Sequence, residues 1–281
     1  MKIIQAGRSL LIVIFFFSLT FAGCATTLLY NHADWLLTRQ IDQYFDLTRS
    51  QRSFVSTRLG SLLEHHRQDA LPQYEDTIRQ AAARIQRGLN EDDVEWAFQQ
   101  YDHLRVDLFA RFVLDGTDFL RLVRDSQLPH LKRKLRERLA DQEALLRESV
   151  ETRLAARKDR LLVLVREWLG PISREQEQQI AVLVMNFPDM VPIVYAHQQR
   201  RNDQLMELME RRTQQDSTER LRIWLVDQEM DHTYVEATRH LRHHLKGLFL
   251  ALDRVATPAQ RHHLLAKLDG LARTVHTLRA T

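Results

Sequence analysis

Four short stretches share one design: Leu47-Thr48-Arg49-Ser50-Gln51, Leu89-Asn90-Glu91-Asp92-Asp93, Ile172-Ser173-Arg174-Glu175-Gln176 and Ala256-Thr257-Pro258-Ala259-Gln260. In each, a small polar residue precedes by three positions a side chain that can reach back to it. This is the layout of a capping box, in which two orphan backbone N–H groups at a helix start are satisfied reciprocally. Behind each stretch, apolar residues recur at spacings of three and four, so each marks the entry to an amphipathic helix. Only eight glycines and six prolines interrupt 281 residues, which leaves little material for turns. No segment shows the alternation of a strand. The chain is expected to be all-α: an elongated multi-helix bundle with coiled-coil-like long helices, forming one continuous body or two lobes that meet at Gly170-Pro171.

The periodicity places helices over 48–66 and from Leu71 to near Gly88. Further helices run from Asn90, through Phe112, Phe119 and Leu122 with a bend expected at Gly116, and over 194–212, 217–230, 232–255 and 258–278. The longest regular pattern begins at Leu128 and repeats as far as Trp168, predicting one helix of roughly forty residues. Just before the first box, Trp35, Leu36, Leu37, Ile41, Tyr44 and Phe45 fit one amphipathic helix with its aromatic residues turned into a core.

The N-terminus has a different character. Lys2 and Arg8 precede an uninterrupted apolar run over residues 10–17, which is too short to span a bilayer but has the layout of an export signal. The run leads to Phe21-Ala22-Gly23-Cys24, and Cys24 is the sole cysteine. A lone thiol excludes an intramolecular disulfide framework and any multi-thiolate metal site. The tetrapeptide resembles the bacterial lipobox, with Phe21 where that pattern usually has leucine. The resemblance implies that residues 1–23 are removed, that Cys24 carries the acyl chains (palmitate among them), and that residues 24–29 are a short tether. Ala25 in place of aspartate implies, by the same resemblance, the outer membrane of a Gram-negative cell with the body on its periplasmic face. Two helical lobes, 30–169 and 170–281, or one continuous domain, would follow.

The segment Tyr30-Asn31-His32-Ala33-Asp34-Trp35-Leu36-Leu37, followed by Asp46-Leu47-Thr48 with Gln51 and by Trp168-Leu169-Gly170-Pro171-Ile172-Ser173 with Gln176, resembles a bacterial lipoprotein family of unknown function. It implies lipidation and an all-helical body, with Tyr30, Asn31, Asp34 and Trp35 as the family motif. The Leu47–Gln51 pattern is also similar to periplasmic helical proteins of the LTxxQ class, which includes chaperones and envelope sensors.

Nothing in the sequence points to catalysis. There is no GxSxG, no glycine-rich phosphate loop and no HExxH, and the one thiol is assigned to acylation. His240 and His244 stand one helical turn apart with Glu236 a turn earlier, a spacing that could grip a transition metal, but Arg239, Arg242 and Lys246 interleave them as on a solvated basic face. Loss of residues 1–23 would take Lys2 and Arg8 and no acidic residue, bringing the formal charge from +3 to +1. With the acids that follow residues 130–138, this argues against nucleic acid as a partner. The reading is a non-enzymatic envelope lipoprotein, binding or chaperone-like, without a cofactor, held to the membrane by its acyl chains and facing an envelope protein partner. A metal-responsive or stress-sensing module is the alternative.

Overall fold

The computed structural model describes residues 23–227 and 231–280; the export signal expected over residues 1–23 lies almost wholly outside them. The described chain is helical nearly throughout and contains no strand. In order the helices are α1 (Gly23–Asn31), α2 (Ala33–Phe45), α3 (Arg49–His65), α4 (Leu71–Arg87), α5 (Glu91–Arg111), α6 (Val113–Leu122), α7 (Leu128–Leu146), α8 (Val150–Leu169), α9 (Arg174–Met185), α10 (Val191–Glu210), α11 (Ser217–Arg222), α12 (His232–Val255) and α13 (Pro258–Ala280). Single π turns at His66–Ala70 and Ile223–Asp227 extend α3 into α4 and continue α11, and a 3₁₀ turn at Asp125–Gln127 precedes α7.

All four boxes form. The amide of Gln51 donates to Thr48 Oγ1 at 3.3 Å while the Thr48 amide donates to Gln51 Oε1 at 2.9 Å. Asn90 with Asp93, Ser173 with Gln176 and Thr257 with Gln260 repeat the reciprocal pair.

Three apolar clusters organise the packing. The first gathers Val55 and Leu59 of α3, Phe119 of α6, Leu131 and Leu135 of α7, Met209 of α10 and Leu221 of α11. A second joins Ala70, Leu71, Tyr74 and Ile78 to Leu104 of α5 and to Ala272, Val275 and Leu278 of α13. The third lies between α8, α9 and α12, around Leu162, Ile180, Val184 and Leu248. The second cluster therefore draws on residues from both sides of Gly170, and α13 on α4 is the most extensive helix pairing among the described residues. Asp253, at the end of α12, reinforces it: one carboxylate oxygen accepts from the Leu89 amide at 2.9 Å and the other from Arg261 at 2.6 Å.

Three expectations need correction. The forty-residue helix is two helices, because Ser149 caps α8 by accepting from the Thr152 amide at 3.2 Å. Arg153 holds the bend, donating to the carbonyls of Leu145 and Glu148 and to Asp189. Apolar spacing runs unbroken through residues 147–149, so periodicity alone could not register the cap. The longest continuous helical run is instead α3, its π turn and α4. Secondly, the chain breaks at Phe112 and not at Gly116, which sits inside α6 where a Cβ would lie 3.0 Å from Leu221 Cδ2. Glycine there serves the close approach of α11. Thirdly, the short tether expected over residues 24–29 is helical, as part of α1, where no helix was placed before residue 30.

Candidate functional site

The segment that opens with Tyr30 and Asn31 begins on α1 and docks on the π turn between α3 and α4. That turn has a local cause. Pro72 lacks the N–H that residue 68 would otherwise bond, and its ring crowds the same carbonyl; widening the preceding turn relieves both. His66 opens the turn and is buried. Its Nδ1 lies 2.8 Å from the Tyr30 hydroxyl and its Nε2 3.2 Å from the Tyr74 hydroxyl, with the Tyr74 ring edge-on to the imidazole.

A neutral imidazole offers one donor and one acceptor, so the chain Tyr30–His66–Tyr74 is satisfied in either direction, one tyrosine donating into the ring and the ring donating to the other. Burial enforces that state. It pushes His66 down to about 4, with the nearby Arg111 guanidinium acting in the same direction, and pushes both tyrosines up to about 12. Across the neutral range these groups carry no charge. The arrangement locks α1 to the body.

Asn31 adds a second latch, its Oδ1 accepting from Arg67 Nη2 at 3.3 Å, while the Arg67 guanidinium lies 5.5 Å from the centre of the Tyr30 ring. Consecutive motif residues thus grip consecutive residues of the turn. Asp34 and Trp35 do not join them. Asp34 is half-buried in the first turn of α2, where a carboxylate suits the helix dipole. Trp35 is 56% exposed, with Arg39 over its ring. Cys24 lies on α1, upstream of Tyr30.

The expectation that the aromatic residues of this helix turn into a core holds for Tyr44 and Phe45 and fails for Trp35. Ile41, Tyr44 and Phe45 pack on the first core, Phe45 edge-on to Phe119 at 5.1 Å. Trp35, Leu36 and Leu37 remain substantially exposed.

Two glutamine clasps tie the helix starts at Gln51 and Gln176 to distant ones at Gln127 and Gln260. Gln51 Nε2 donates to the Leu122 carbonyl at 2.6 Å and to Gln127 Oε1 at 2.9 Å; Gln127 Nε2 returns to Gln51 Oε1 and also reaches the carbonyls of Phe45 and Asp46. Each glutamine thus reaches backbone carbonyls at the end of the helix that precedes the other. Gln176 and Gln260 repeat this, reaching the Val255 and Pro171 carbonyls and each other. Gln127 escaped the sequence reading because Arg124, at its cap position, has no side-chain acceptor. Only half the box forms, from the Arg124 amide to Gln127 Oε1 at 2.9 Å. Leu47, Val123, Ile172 and Ala256 each stand four positions before a clasp glutamine, but so do Leu36 before Gln40, Ala82 before Gln86 and Trp96 before Gln100, so that spacing does not mark Gln127 out.

An open groove of about 530 Å³ lies over the second clasp, lined by Gly170, Pro171, Ile172, Gln176, Thr257 and His263 among others. Gly170 takes a left-handed φ of 80° to end α8 there. The histidine patch is not gathered into a site. Glu236 accepts from Arg239 at 2.7 Å, and that bond is the main cause holding its carboxyl below the usual range. His244 turns toward the Phe187 ring, His240 is exposed, and no group of three or more potential metal ligands occurs among the described residues. In the basic run at 130–138, Lys134 pairs with Glu137 at the surface and Arg138 donates to the Tyr44 hydroxyl, while Lys132, Arg133 and Arg136 are exposed. No described helix is long and apolar enough to cross a membrane.

The model of a family of unknown function (DUF6279) matches residues 43–234, and the chain belongs to that family. No curated protein and no solved structure matches it.

Proposed function

We propose that this member of the family is a lipid-anchored, non-enzymatic protein of the bacterial outer membrane, with its helical body in the periplasm, where it binds another envelope protein. The observation that carries the reading is the double latch of Tyr30 and Asn31 on the π turn. It fixes the helix that begins at the lipobox-like cysteine to the body, so an acyl anchor on Cys24 would hold the body at a set distance from the bilayer. A flexible tether would instead let it drift. Three acyl chains are enough for stable anchoring, whereas one gives marginal, reversible binding. The non-enzymatic part of the reading is supported by the state of Tyr30, His66 and Tyr74, which satisfy one another and titrate far from neutrality.

The test is metabolic labelling with an alkyne fatty acid in cells expressing the full chain, followed by membrane fractionation. Label should enter the wild-type protein, sediment with outer membranes and vanish in Cys24→Ser. Label that persists in the variant would sink the lipoprotein reading. Crosslinking in intact envelopes, followed by mass spectrometry of adducts on the helical body, should return a reproducible protein partner; recovery of the monomer alone would count against the binding role.

A further inference from the structure

We infer that α1 and the first turn of α2 form an interfacial helix that lies in the headgroup layer of the bilayer, with Leu28, Leu29, Trp35 and Leu36 embedded. The inference rests on the anchored reading above and adds a surface and an orientation to it.

Five large apolar side chains stay in the open at the start of the described chain: Leu28 at 60%, Leu29 at 59%, Trp35 at 56%, Leu37 at 40% and Leu36 at 38% exposure; Leu37 lies off to one side, and the other four belong together. They are not scattered. His32 interrupts the helix for one residue, but its amide still bonds the Leu28 carbonyl at 3.2 Å and its carbonyl accepts from the Leu36 amide at 3.0 Å, so the helical register runs from α1 into α2. Leu28 and Trp35 are a heptad apart, as are Leu29 and Leu36, so each pair drifts by only about 20° and the four make one stripe. Ile41 and Phe45, which hold α2 on the first core, fall on the opposite side of the same helix. The helix therefore has two apolar faces, and the protein covers only one.

The stripe is confined to the end nearest Cys24. Past Leu36 the same outer face continues as Arg39, Gln40 and Gln43, all exposed. Asp34, the one acid within the stretch, is half-buried away from the stripe. The Arg39 guanidinium lies 5.6 Å from the Trp35 ring centre, placing an aromatic ring and a cation side by side as at a membrane interface. Length decides the occupant. Leu28 is one helical turn from Cys24, about 6 Å along the axis, and Leu36 is about 18 Å away. With Cys24 in the membrane and the helix locked to the body, a stripe starting one turn on has the bilayer surface as its nearest apolar phase. A basic-edged apolar face of this kind sits about 5–10 Å into the headgroup–acyl boundary.

The test uses the full chain purified from membranes, with acylation of Cys24 read by intact mass. Because the acylated thiol is blocked, single cysteines at Leu29→Cys, Leu36→Cys and Gln43→Cys can carry an environment-sensitive fluorophore. In phosphatidylethanolamine–phosphatidylglycerol vesicles with a spin-labelled lipid near the headgroup, the labels at 29 and 36 should emit to the blue. They should be quenched about twofold or more over the label at 43, as burial at the boundary requires. Equal quenching at 36 and 43 in the acylated protein overturns the inference and leaves the anchor standing. Blue emission without lipid quenching also overturns it, because a protein then covers the stripe. An intact mass without acyl chains removes the anchored reading and the inference together.

Discussion

Removing Gln127 should cost far more than its absence from any recognised motif suggests. Its side chain is buried, as is that of Gln51, and water has little access to either. The Gln127 amide shares its two protons among three acceptors, the carbonyls of Phe45 at 2.6 Å and Asp46 at 2.9 Å and Gln51 Oε1, while its oxygen accepts from the Arg124 amide and from Gln51. Gln127→Ala would delete these bonds, each worth about 1 kcal/mol net, and leave buried groups whose desolvation is not compensated at about 1–3 kcal/mol each. Some relief comes from backbone shifts and from water entering the space, so the expected loss is about 3 kcal/mol, a large part of a domain's usual stability.

The assay is urea unfolding of the chain from Ala25, followed by circular dichroism. A cycle with Gln51→Ala should be non-additive by about 1–2 kcal/mol, since each single variant already breaks the shared pair. Gln127→Glu is the sharper control. It keeps the accepting oxygen but turns a second oxygen toward the Phe45 and Asp46 carbonyls, so it should be worse than alanine near pH 7 and should recover relative to wild type as acid protonates it. A loss under about 1 kcal/mol for Gln127→Ala, or additivity within about 0.5 kcal/mol, would refute the idea that the clasp holds α3 and α7 together.

Two further predictions concern charge and backbone. His66 and His197 are each held down to about 4 in the fold, chiefly by burial, whereas an unfolded histidine protonates near 6.5. Protons therefore bind the unfolded chain preferentially between those values: stability is present in full above pH 6.5 and falls as pH drops through 4, by about 3 kcal/mol for His66 alone. Thermal melts across pH 4–7 should show this slope, and His66→Phe should flatten it, with an unchanged profile excluding His66 as its source. Gly60→Ala should stabilise by about 0.5–1 kcal/mol, because an added Cβ meets nothing within 4 Å on an exposed helix face. Gly116→Ala should destabilise by about 1 kcal/mol despite its better helix propensity, because Leu221 stands 3.0 Å away in a packed core; equal effects at the two sites in parallel urea titrations would contradict this.

Much of the chemistry that is local in space was legible in the sequence. Capping boxes act over three residues, so Thr48, Asn90, Ser173 and Thr257 announced their helices, and scarce glycine and proline with pervasive three-and-four spacing settled the all-α class. The same spacing could not see Ser149 cut α8 from α7, because a cap that preserves the apolar stripe leaves no mark on it. Nor could it say which way a stripe faces: Trp35 and Ile41 both satisfy a helical period, and only the packing of α2 on α3 and α7 turns one out and the other in. The glutamines are the clearest division. For Gln51, Gln176 and Gln260 the first bond is made within the box and was readable from sequence, while Gln127 carries no such mark; the second bonds cross from residue 51 to 127 and from 176 to 260, a pairing that exists only once the helices have closed on each other. Tyr30 and His66 belong to the same class. Each is an ordinary residue of its own helix until the π turn and the docking of α1 bring a hydroxyl and an imidazole to 2.8 Å in a site that burial keeps neutral.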